Sequence, residues 1–190
     1  MKLGAASSTK YNYDDFVNFP DDGKRHEIID GKHYVTPSPN TKHQTVSSNL
    51  HGMLWTYLRQ RPIGRIFAAP FDVVLSDLDV VEPDLLYVSR ERFHVLTGQH
   101  VRGVPDLVVE ILSPGTRKTD EVTKRKLYDR SGVQEYWIVD PELDVMKIYR
   151  RANDVLTRVS ELSAERSDLL TSPLLPDFSL PLREVFAPPL

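Results

Sequence analysis

The sequence predicts an α/β fold, a mixed β-sheet flanked by helices, in a single domain over residues 1–190. Three observations support this prediction. Residues 104–141 are patterned as a strand, a polar loop, a helix and a second strand, which favours a parallel strand pair with a right-handed crossover. Residues 40–61 place apolar side chains at helical spacing, and Pro62 stops that run. Short β-branched runs bounded by turn residues supply the other strands.

The strand that opens the central segment, residues 106–112, is an apolar run typical of a strand covered on both faces. Glu110 interrupts this run. A carboxylate inside a buried strand is costly unless it is paired, hydrogen-bonded or bound to a cation. Glu110 is therefore the first functional signal in the chain.

The helix of the central segment is predicted from about residue 120 to residue 131, with Gly132 in the left-handed position that ends a helix. Asp120, Lys124 and Tyr128 share one face of this helix because they are spaced at i, i+4 and i+8. The return strand covers residues 134–139 and ends at an Asp-Pro turn.

Local patterns predict the remaining elements. The other predicted strands are residues 26–30, 32–36, 65–69, 71–76, 80–88, 144–150 and 155–160. Pro83 interrupts the 80–88 run and suggests a sheet edge, a bulge or a strand start there. Helical turns are predicted at residues 13–19 and 89–93, and near Glu184 after a proline-rich tail of short strands. Asp30-Gly31 suits a tight turn between the first two strands, and residues 97–103 suit a surface loop.

Composition limits the class of protein. The chain contains no cysteine, which excludes disulfides and thiolate metal sites and suits a reducing cytoplasm, the location we expect. No apolar run reaches the ~20 residues that span a bilayer, and residues 1–10 lack the apolar core of a signal peptide and are predicted to be a flexible end. A net charge of −3 argues against an indiscriminately basic nucleic-acid binder. Residues 117–130 nevertheless hold six Lys or Arg against three acids, as a modest basic surface or a solvated helix face.

Two apolar strands each contain a carboxylate, Asp84 after Pro83 and Glu110 further along the chain. If the strands lie side by side, the carboxylates repel each other and need a cation, so removing one should stabilise the metal-free protein. Oxygen ligands without cysteine favour Mg²⁺ or Mn²⁺ over Zn²⁺. Lys124 on the next helix could reach back over the acids and orient an attacking water. The alternative is an exposed Asp120–Lys124 pair, which contributes about 0.3–0.5 kcal/mol.

Longer motifs resemble a known family. They are EIIDG at 27–31, PSP at 37–39 with His43, Pro83-Asp84, VEILSP at 109–114, the helix face Asp120, Lys124 and Tyr128, and EYWIVDP at 135–141. In these motifs the chain closely resembles the Uma-type family of "putative restriction endonucleases", which is similar to the PD-(D/E)XK nuclease superfamily. The resemblance spans nearly the whole chain, is most specific over residues 110–141, and implies a restriction-endonuclease-like sheet flanked by helices.

The resemblance also implies the site residues. Asp84 resembles the aspartate of the superfamily pattern, and Glu110 resembles its second acid. The position where that pattern has its lysine is Leu112, so the lysine is displaced onto the following helix, which points to Lys124. Lys126 is the rival, but its side chain leaves the predicted helix face by about 160°, at ~100° per residue.

The implied function is that of a metal-dependent endonuclease that hydrolyses phosphodiester bonds, in DNA. The alternative is a catalytically silent nucleic-acid-binding or dimeric interaction module on the same fold. By the resemblance, Asp84, Glu110 and the Ile111 carbonyl would hold Mg²⁺ (or Mn²⁺). Lys124 would position the attacking water or help to deprotonate it, and Glu27 would orient Lys124 or a second ion.

The expected partner is nucleic acid rather than a membrane, with phosphate contacts from Arg117, Lys118 and Arg125. We expect a homodimer, for which the sequence offers only the apolar, proline-rich tail as interface material. Two further residues have open roles. His43 is a helix cap or packing residue, or else catalytic, and Asp72 either joins the acidic cluster or caps a turn.

Overall fold

The computed structural model describes residues 10–188. Its helices are α1 (Tyr13–Phe16), α2 (Thr41–Gln60), α3 (Arg125–Ser131) and α4 (Leu182–Val185), with a 3-10 segment at Arg90–Val95 and a π-helical segment at Thr119–Lys124. Its strands are β1 (Arg25–Ile29), β2 (Lys32–Thr36), β3 (Gly64–Ala68), β4 (Val73–Ser76), β5 (Asp79–Val81), β6 (Leu85–Ser89), β7 (Val101–Arg102), β8 (Leu107–Ile111), β9 (Glu135–Asp140), β10 (Val145–Ala152), β11 (Val155–Ser163), β12 (Leu169–Ser172) and β13 (Leu175–Pro181). The end that was predicted to be flexible lies, except for its last residue, outside the described residues.

A six-stranded mixed sheet forms the centre of the fold, in the order β11-β10-β9-β8-β6-β3. β8 and β9 are parallel, with Leu107 opposite Glu135, as the pattern of residues 104–141 predicts. Every residue of β8 is buried because both faces of the sheet are covered. α2 and the β12–β13 hairpin cover one face, whereas α3 and a second sheet cover the other.

The second sheet has the order β2-β1-β5-β4-β7. β1 and β2 form the predicted hairpin at Asp30-Gly31, where the φ angles are 53° and 74°. Ile29 of β1 and Val108 of β8 belong to one apolar core. This contact between the two sheets brings Glu27, which also lies in β1, toward the central strand β8.

Helix α2 forms where the apolar periodicity predicts it. Asn40 caps its N-terminus by accepting a hydrogen bond from the His43 N–H, which satisfies one of the unpaired N–H groups of the first turn. Val46, Leu50 and Leu54 point into the core at the i, i+4, i+8 spacing. The first turn of α2 thereby lies beside the start of β6, where His43 contacts Asp84.

The predicted strand at residues 80–88 is two strands, and of the alternatives that Pro83 left open, a new strand start is the one observed. β5 ends at Val81 in the second sheet, and β6 begins at Leu85 in the central sheet. Pro83 lies between them and has no N–H with which to continue a ladder. The change of sheet leaves Asp84 immediately in front of β6.

Three smaller predictions are also modified. The helical chain after β8 begins at Arg117, earlier than predicted, and is π-helical over Thr119–Lys124. The predicted loop at 97–103 contains β7, which pairs with β4. The C-terminal tail buries Leu175, Leu180 and Leu182 in the chain's own core, so these side chains are not available to an interface. Within residues 10–188, every helix falls short of the length or apolar character that a membrane span requires.

Candidate active site

The start of β6 and the end of β8 meet at one end of these two interior strands of the central sheet. The two strands are antiparallel with Leu85 opposite Val109, so Asp84 lies beside the last residues of β8. Glu110 points to the α3 side of the sheet. Ile111 has no partner in β6, and its N–H donates to Asp84 Oδ2 at 2.7 Å. Asp84 and Glu110 therefore line one cavity of about 210 Å³, as the strand patterns predict.

A buried ammonium joins the carboxylates on the α3 side. Nζ of Lys124 lies 2.8 Å from Oε1 of Glu27 and 3.0 Å from Oε1 of Glu110. It also lies 3.7 Å from Oδ1 of Asp120, one helical turn earlier. The Tyr128 hydroxyl donates to the same Glu110 oxygen at 2.7 Å. Lys124 is only 5% exposed, so these carboxylates take the place of water around its charge.

Asp84 has its own set of donors. Nη1 of Arg25 donates to Oδ1 at 2.6 Å, and Nε2 of His43 lies 3.1 Å from Oδ2. Because an ionised carboxylate only accepts hydrogen bonds, Nε2 carries the proton in the His43 contact. The other ring nitrogen of His43, Nδ1, is buried without a hydrogen-bond partner among the described residues. Nε of Arg25 also lies 3.0 Å from Glu82, but not in hydrogen-bonding alignment.

These contacts change the electrostatic expectation for the metal-free protein. Asp84 and Glu110 were expected to repel each other without a cation, but each is paired with a cation of the chain itself, Arg25 and Lys124. Removing the Asp84 carboxylate, whose ionised form these contacts favour, leaves Arg25 without that partner. The expected stabilisation by such a substitution is therefore reversed.

The structure distinguishes the two candidate lysines. Lys124 points into the cavity, whereas Lys126 is exposed to solvent. Leu112, at the position where the superfamily pattern has its lysine, is buried in an apolar core. The helix face therefore brings Asp120, Lys124 and Tyr128 to Glu110, as predicted, even though part of it is π-helical. A π-helical turn inside a helix is frequent at functional sites.

The three residues predicted to contact phosphates differ in their surroundings. Arg117 makes a two-point contact with Asp140, at 2.6 and 3.1 Å, so its charge is already neutralised. Arg125 donates to a backbone carbonyl of the preceding turn and lies over the Tyr149 ring. Lys118 is exposed beside the cavity-lining loop. Lys118 is the least engaged of the three.

Comparisons with known proteins place the chain in a family. The model of the Uma2 family, described as "Putative restriction endonuclease", matches residues 13–183. The chain belongs to the Uma2 family. No curated protein matches it significantly. A crystal structure from Anabaena variabilis, described as a "putative nuclease belonging to DUF820", is similar at a TM-score of 0.77 and 22% identity, over 92% of this chain and 97% of that one. The predicted α/β fold class is thereby confirmed.

The ionisable groups of this site have shifted pKa values. Burial lowers the pKa of Lys124, but Glu110, Glu27 and Asp120 outweigh it and raise that pKa well above its usual range. Burial raises the pKa of Glu110 well above its usual range, although Lys124 opposes it. Burial also raises the pKa of Asp120 to about 6. Burial acts upward on Asp84 too, but His43 and Arg25 outweigh it and lower its pKa to about 2.

The oxygen atoms around this cavity are of the type that a hard divalent cation binds. Both hydrogen bonds to Glu110 end on Oε1, and no described residue donates to Oε2. The Leu112 N–H donates to the Val139 carbonyl in β9. The C=O and N–H of one trans peptide group point to opposite sides of a strand, so the Ile111 carbonyl points away from β9, toward Asp84. No three or more His, Asp or Glu side chains within residues 10–188 form a metal-holding group. An ion would therefore rely on the carbonyl and on water or phosphate oxygens as well, which Mg²⁺ accepts.

Arg25 and the contact made by His43 are the parts of the site that sequence reasoning missed. Arg25 and Asp84 are 59 positions apart, and no local pattern links them. His43 belongs to a motif of the resemblance, and its buried contact with Asp84 goes beyond helix packing. Asp72 does not line the cavity; its carbonyl accepts the Val101 N–H in the second sheet.

Proposed function

We propose that this Uma2-family protein is a metal-dependent endonuclease that hydrolyses phosphodiester bonds in DNA. The observation that supports this most is the Lys124 ammonium, buried between Glu27 and Glu110 in the cavity that Asp84 also lines. A structural ion pair needs neither an adjoining cavity nor a third carboxylate. Acidic groups and an ammonium around an open space suit a phosphodiester and the cation that accompanies it.

Asp84, Glu110 and the Ile111 carbonyl are the proposed ligands for Mg²⁺ or Mn²⁺. A bound divalent ion would lower the pKa of water and offset the charge of the phosphate. Arg25 and His43 hold the Asp84 carboxylate from opposite oxygens, and Tyr128 holds Glu110. These three residues fix the direction of the acidic groups before substrate arrives.

Lys124 acts in this proposal as a hydrogen-bond donor and a fixed positive charge. Its raised pKa keeps it protonated at neutral pH, which rules against a role as the base that deprotonates water. Glu27 orients the ammonium, because its Oε1 accepts from Lys124 and from the Glu82 backbone N–H. Asp120 lines the cavity outside the ligand set and is our candidate for the proton acceptor.

The silent interaction module remains the second candidate. Arg25 occupies Asp84 with a charge-assisted hydrogen bond, and the described side chains alone form no three-ligand metal group. A site that has exchanged its metal for internal cations would show this arrangement.

Nicking of supercoiled plasmid DNA tests the proposal. We expect relaxation of the plasmid by the wild-type protein in millimolar Mg²⁺ or Mn²⁺ and none in EDTA. Asp84→Asn removes a proposed ligand charge and should abolish nicking, while Asp154→Asn on the exposed β10–β11 turn should not. Equal nicking by wild type and Asp84→Asn would reject the proposed site. No metal-dependent nicking by folded wild-type protein would favour the silent module.

A further inference from the structure

The chain has one long segment without acidic residues. No Asp or Glu occurs between Asp30 and Asp72, although the whole chain has a net charge of −3. This segment contains Lys32, Lys42 and the arginines 59, 61 and 65. It forms β2, α2 and β3, and therefore reaches from the catalytic cavity to the open edge of the central sheet.

The exposed side of α2 connects these two places. Thr41, Gln44, Ser48, Trp55 and Arg59 are exposed, and their spacing of three, four or seven residues puts them on one side of the helix. Asn40, next to the first of them, lines the catalytic cavity. Trp55 lies about 22 Å further along the helix axis, at ~1.5 Å per residue. This stripe contains no carboxylate, so an anionic strand that lies along it meets no acidic side chain of α2 itself.

A groove lies at the far end of the stripe. It has a volume of about 390 Å³ and is lined by Trp55, Leu58, Arg59, Pro62, Gly64, Arg65, Ile66 and Phe67. We call it the Trp55 groove. No acidic residue lines it, and no described carboxylate lies within ion-pair distance of Arg59 or Arg65.

Trp55 is the most unusual residue of this groove. Its side chain is 51% exposed, and the guanidinium carbon of Arg59 lies 5.3 Å from the ring centre. An exposed indole with an arginine over it presents a stacking surface and a positive charge together. Proteins bind unpaired bases and their phosphates with this combination.

We infer that the Trp55 groove binds a single-stranded stretch of nucleic acid, with a base on Trp55 and phosphates at Arg59 and Arg65. This inference rests on the proposed function, because the bound strand is the continuation of the strand in the catalytic cavity. The distance along α2 corresponds to about six nucleotide steps at ~3.4 Å each. A second copy of this chain is the main competing occupant, since β3 is an edge strand.

Tryptophan fluorescence offers a direct test because the chain has two tryptophans. Trp137 is fully buried, so a ligand at the groove changes the emission of Trp55. In EDTA, where no cleavage occurs, we expect a twelve-nucleotide oligothymidylate to quench the wild-type emission. The same oligonucleotide in a duplex, and heparin as a polyanion without bases, should quench much less. Equal quenching by heparin or by the duplex would overturn stacking of an unpaired base.

Variants measured by fluorescence anisotropy of a labelled oligothymidylate complete the test. Trp55→Ala should weaken binding about 5- to 150-fold, the effect of losing one stacked base, and Trp55→Phe should weaken it less. Arg65→Ala should lower the slope of log affinity against log salt by about 0.7. Arg158→Ala, on β11 at the opposite edge of the sheet, is the matched control and should change neither.

Unchanged binding by Trp55→Ala would overturn the inference, as would an emission change that depends on protein concentration and not on oligonucleotide. The outcomes for the two proposals are separable. Metal-dependent nicking with no role for Trp55 would reject only the groove. Trp55-dependent binding without any nicking would reject only the endonuclease.

Discussion

Lys124 keeps its charge in a place where burial alone would remove it. A lone buried ammonium loses its proton readily, but the carboxylates of Glu27 and Glu110 at 2.8 and 3.0 Å make the charged form the favoured one. The same contacts make the cluster costly to break, since a carboxylate left without its cation is itself buried. A test that replaces one of these residues must therefore distinguish a loss of folded protein from a loss of activity.

The first prediction compares two lysines on one helix. Lys124→Ala should lower the nicking rate about 10²–10³-fold, the usual cost of one preorganised electrostatic contact. Lys126→Ala should have little effect, because its side chain is exposed. Rates are compared at equal folded fraction, judged by circular dichroism. Equal losses in the two variants would show that Lys124 has been assigned wrongly.

The second prediction concerns Asp84 in the metal-free protein. Asp84→Asn should lower the free energy of unfolding by about 1–3 kcal/mol, because it weakens a charge-assisted hydrogen bond to Arg25. Urea unfolding in EDTA measures this. Glu161→Gln, which removes the exposed pair with Arg158, is the control and should cost less than about 1 kcal/mol. A more stable Asp84→Asn variant would restore the repulsion argument.

The third prediction uses the raised pKa of Asp120. Because its folded-state pKa is about 6 against a usual value of 3.8, its contribution to stability is full below about pH 4 and is lost as the pH rises through 6. Asp120→Asn removes this loss, so it should gain about 1–3 kcal/mol relative to wild type between pH 4 and pH 7. Urea unfolding at a series of pH values measures the difference. A difference between Asp120→Asn and wild type that does not change with pH would contradict the shift.

At the scale of elements, the site depends on where three segments end. β6 starts at the end of the sheet where the antiparallel strand β8 finishes. Pro83 prevents the chain from forming ladder hydrogen bonds just before Asp84. The helix after β8 then leads back over Glu110 and must end before β9 returns to pair with β8. Gly132 makes this ending possible, with a φ of 90° at the C-terminus of α3.

The fourth prediction tests that ending. Gly132→Ala should lower the free energy of unfolding by about 1 kcal/mol or somewhat more, because a side chain disfavours the left-handed conformation. The space around Gly132 is open, so the cost is conformational rather than steric. Gly115→Ala has equal space without a positive φ and should cost less. Equal thermal shifts for the two variants would contradict this explanation.

At the scale of the whole molecule, charge is unevenly distributed. The acid-free segment 31–71 forms α2 and two strands, while the acidic cluster lies between the two sheets. The homodimer stays a prediction, and several apolar side chains of the tail that suggested an interface lie in the chain's own core. Sedimentation at micromolar concentration measures it. The single-domain assignment likewise stays a prediction.

The fifth prediction tests the proposed metal site through the stability of the whole molecule. An ion that binds only the folded state adds about 1.4 kcal/mol at ten times its Kd, which for a chain of this size raises Tm by roughly 3–6 °C. Asp84→Asn and Glu110→Gln should each remove most of the shift produced by Mg²⁺. A shift that survives both substitutions would indicate surface binding. The absence of any shift, with and without DNA, would reject the metal site.

The sequence by itself determined most of the elements and the helix face that presents Asp120, Lys124 and Tyr128. Hydrophobic periodicity, caps and turns act between neighbours along the chain, so α2, the β1–β2 hairpin and the parallel β8–β9 pair could be predicted from it. Glu110 stood out because a buried strand rarely tolerates an acid. Only the tertiary structure decided which side chains from distant segments of the chain contact the acidic residues of the site. Arg25 reaches Asp84 across 59 positions only because two sheets pack together, and the 80–88 segment divides because its halves join different sheets. Such contacts depend on how whole sheets and helices pack together, and the spacing of residues along the chain does not reveal that packing.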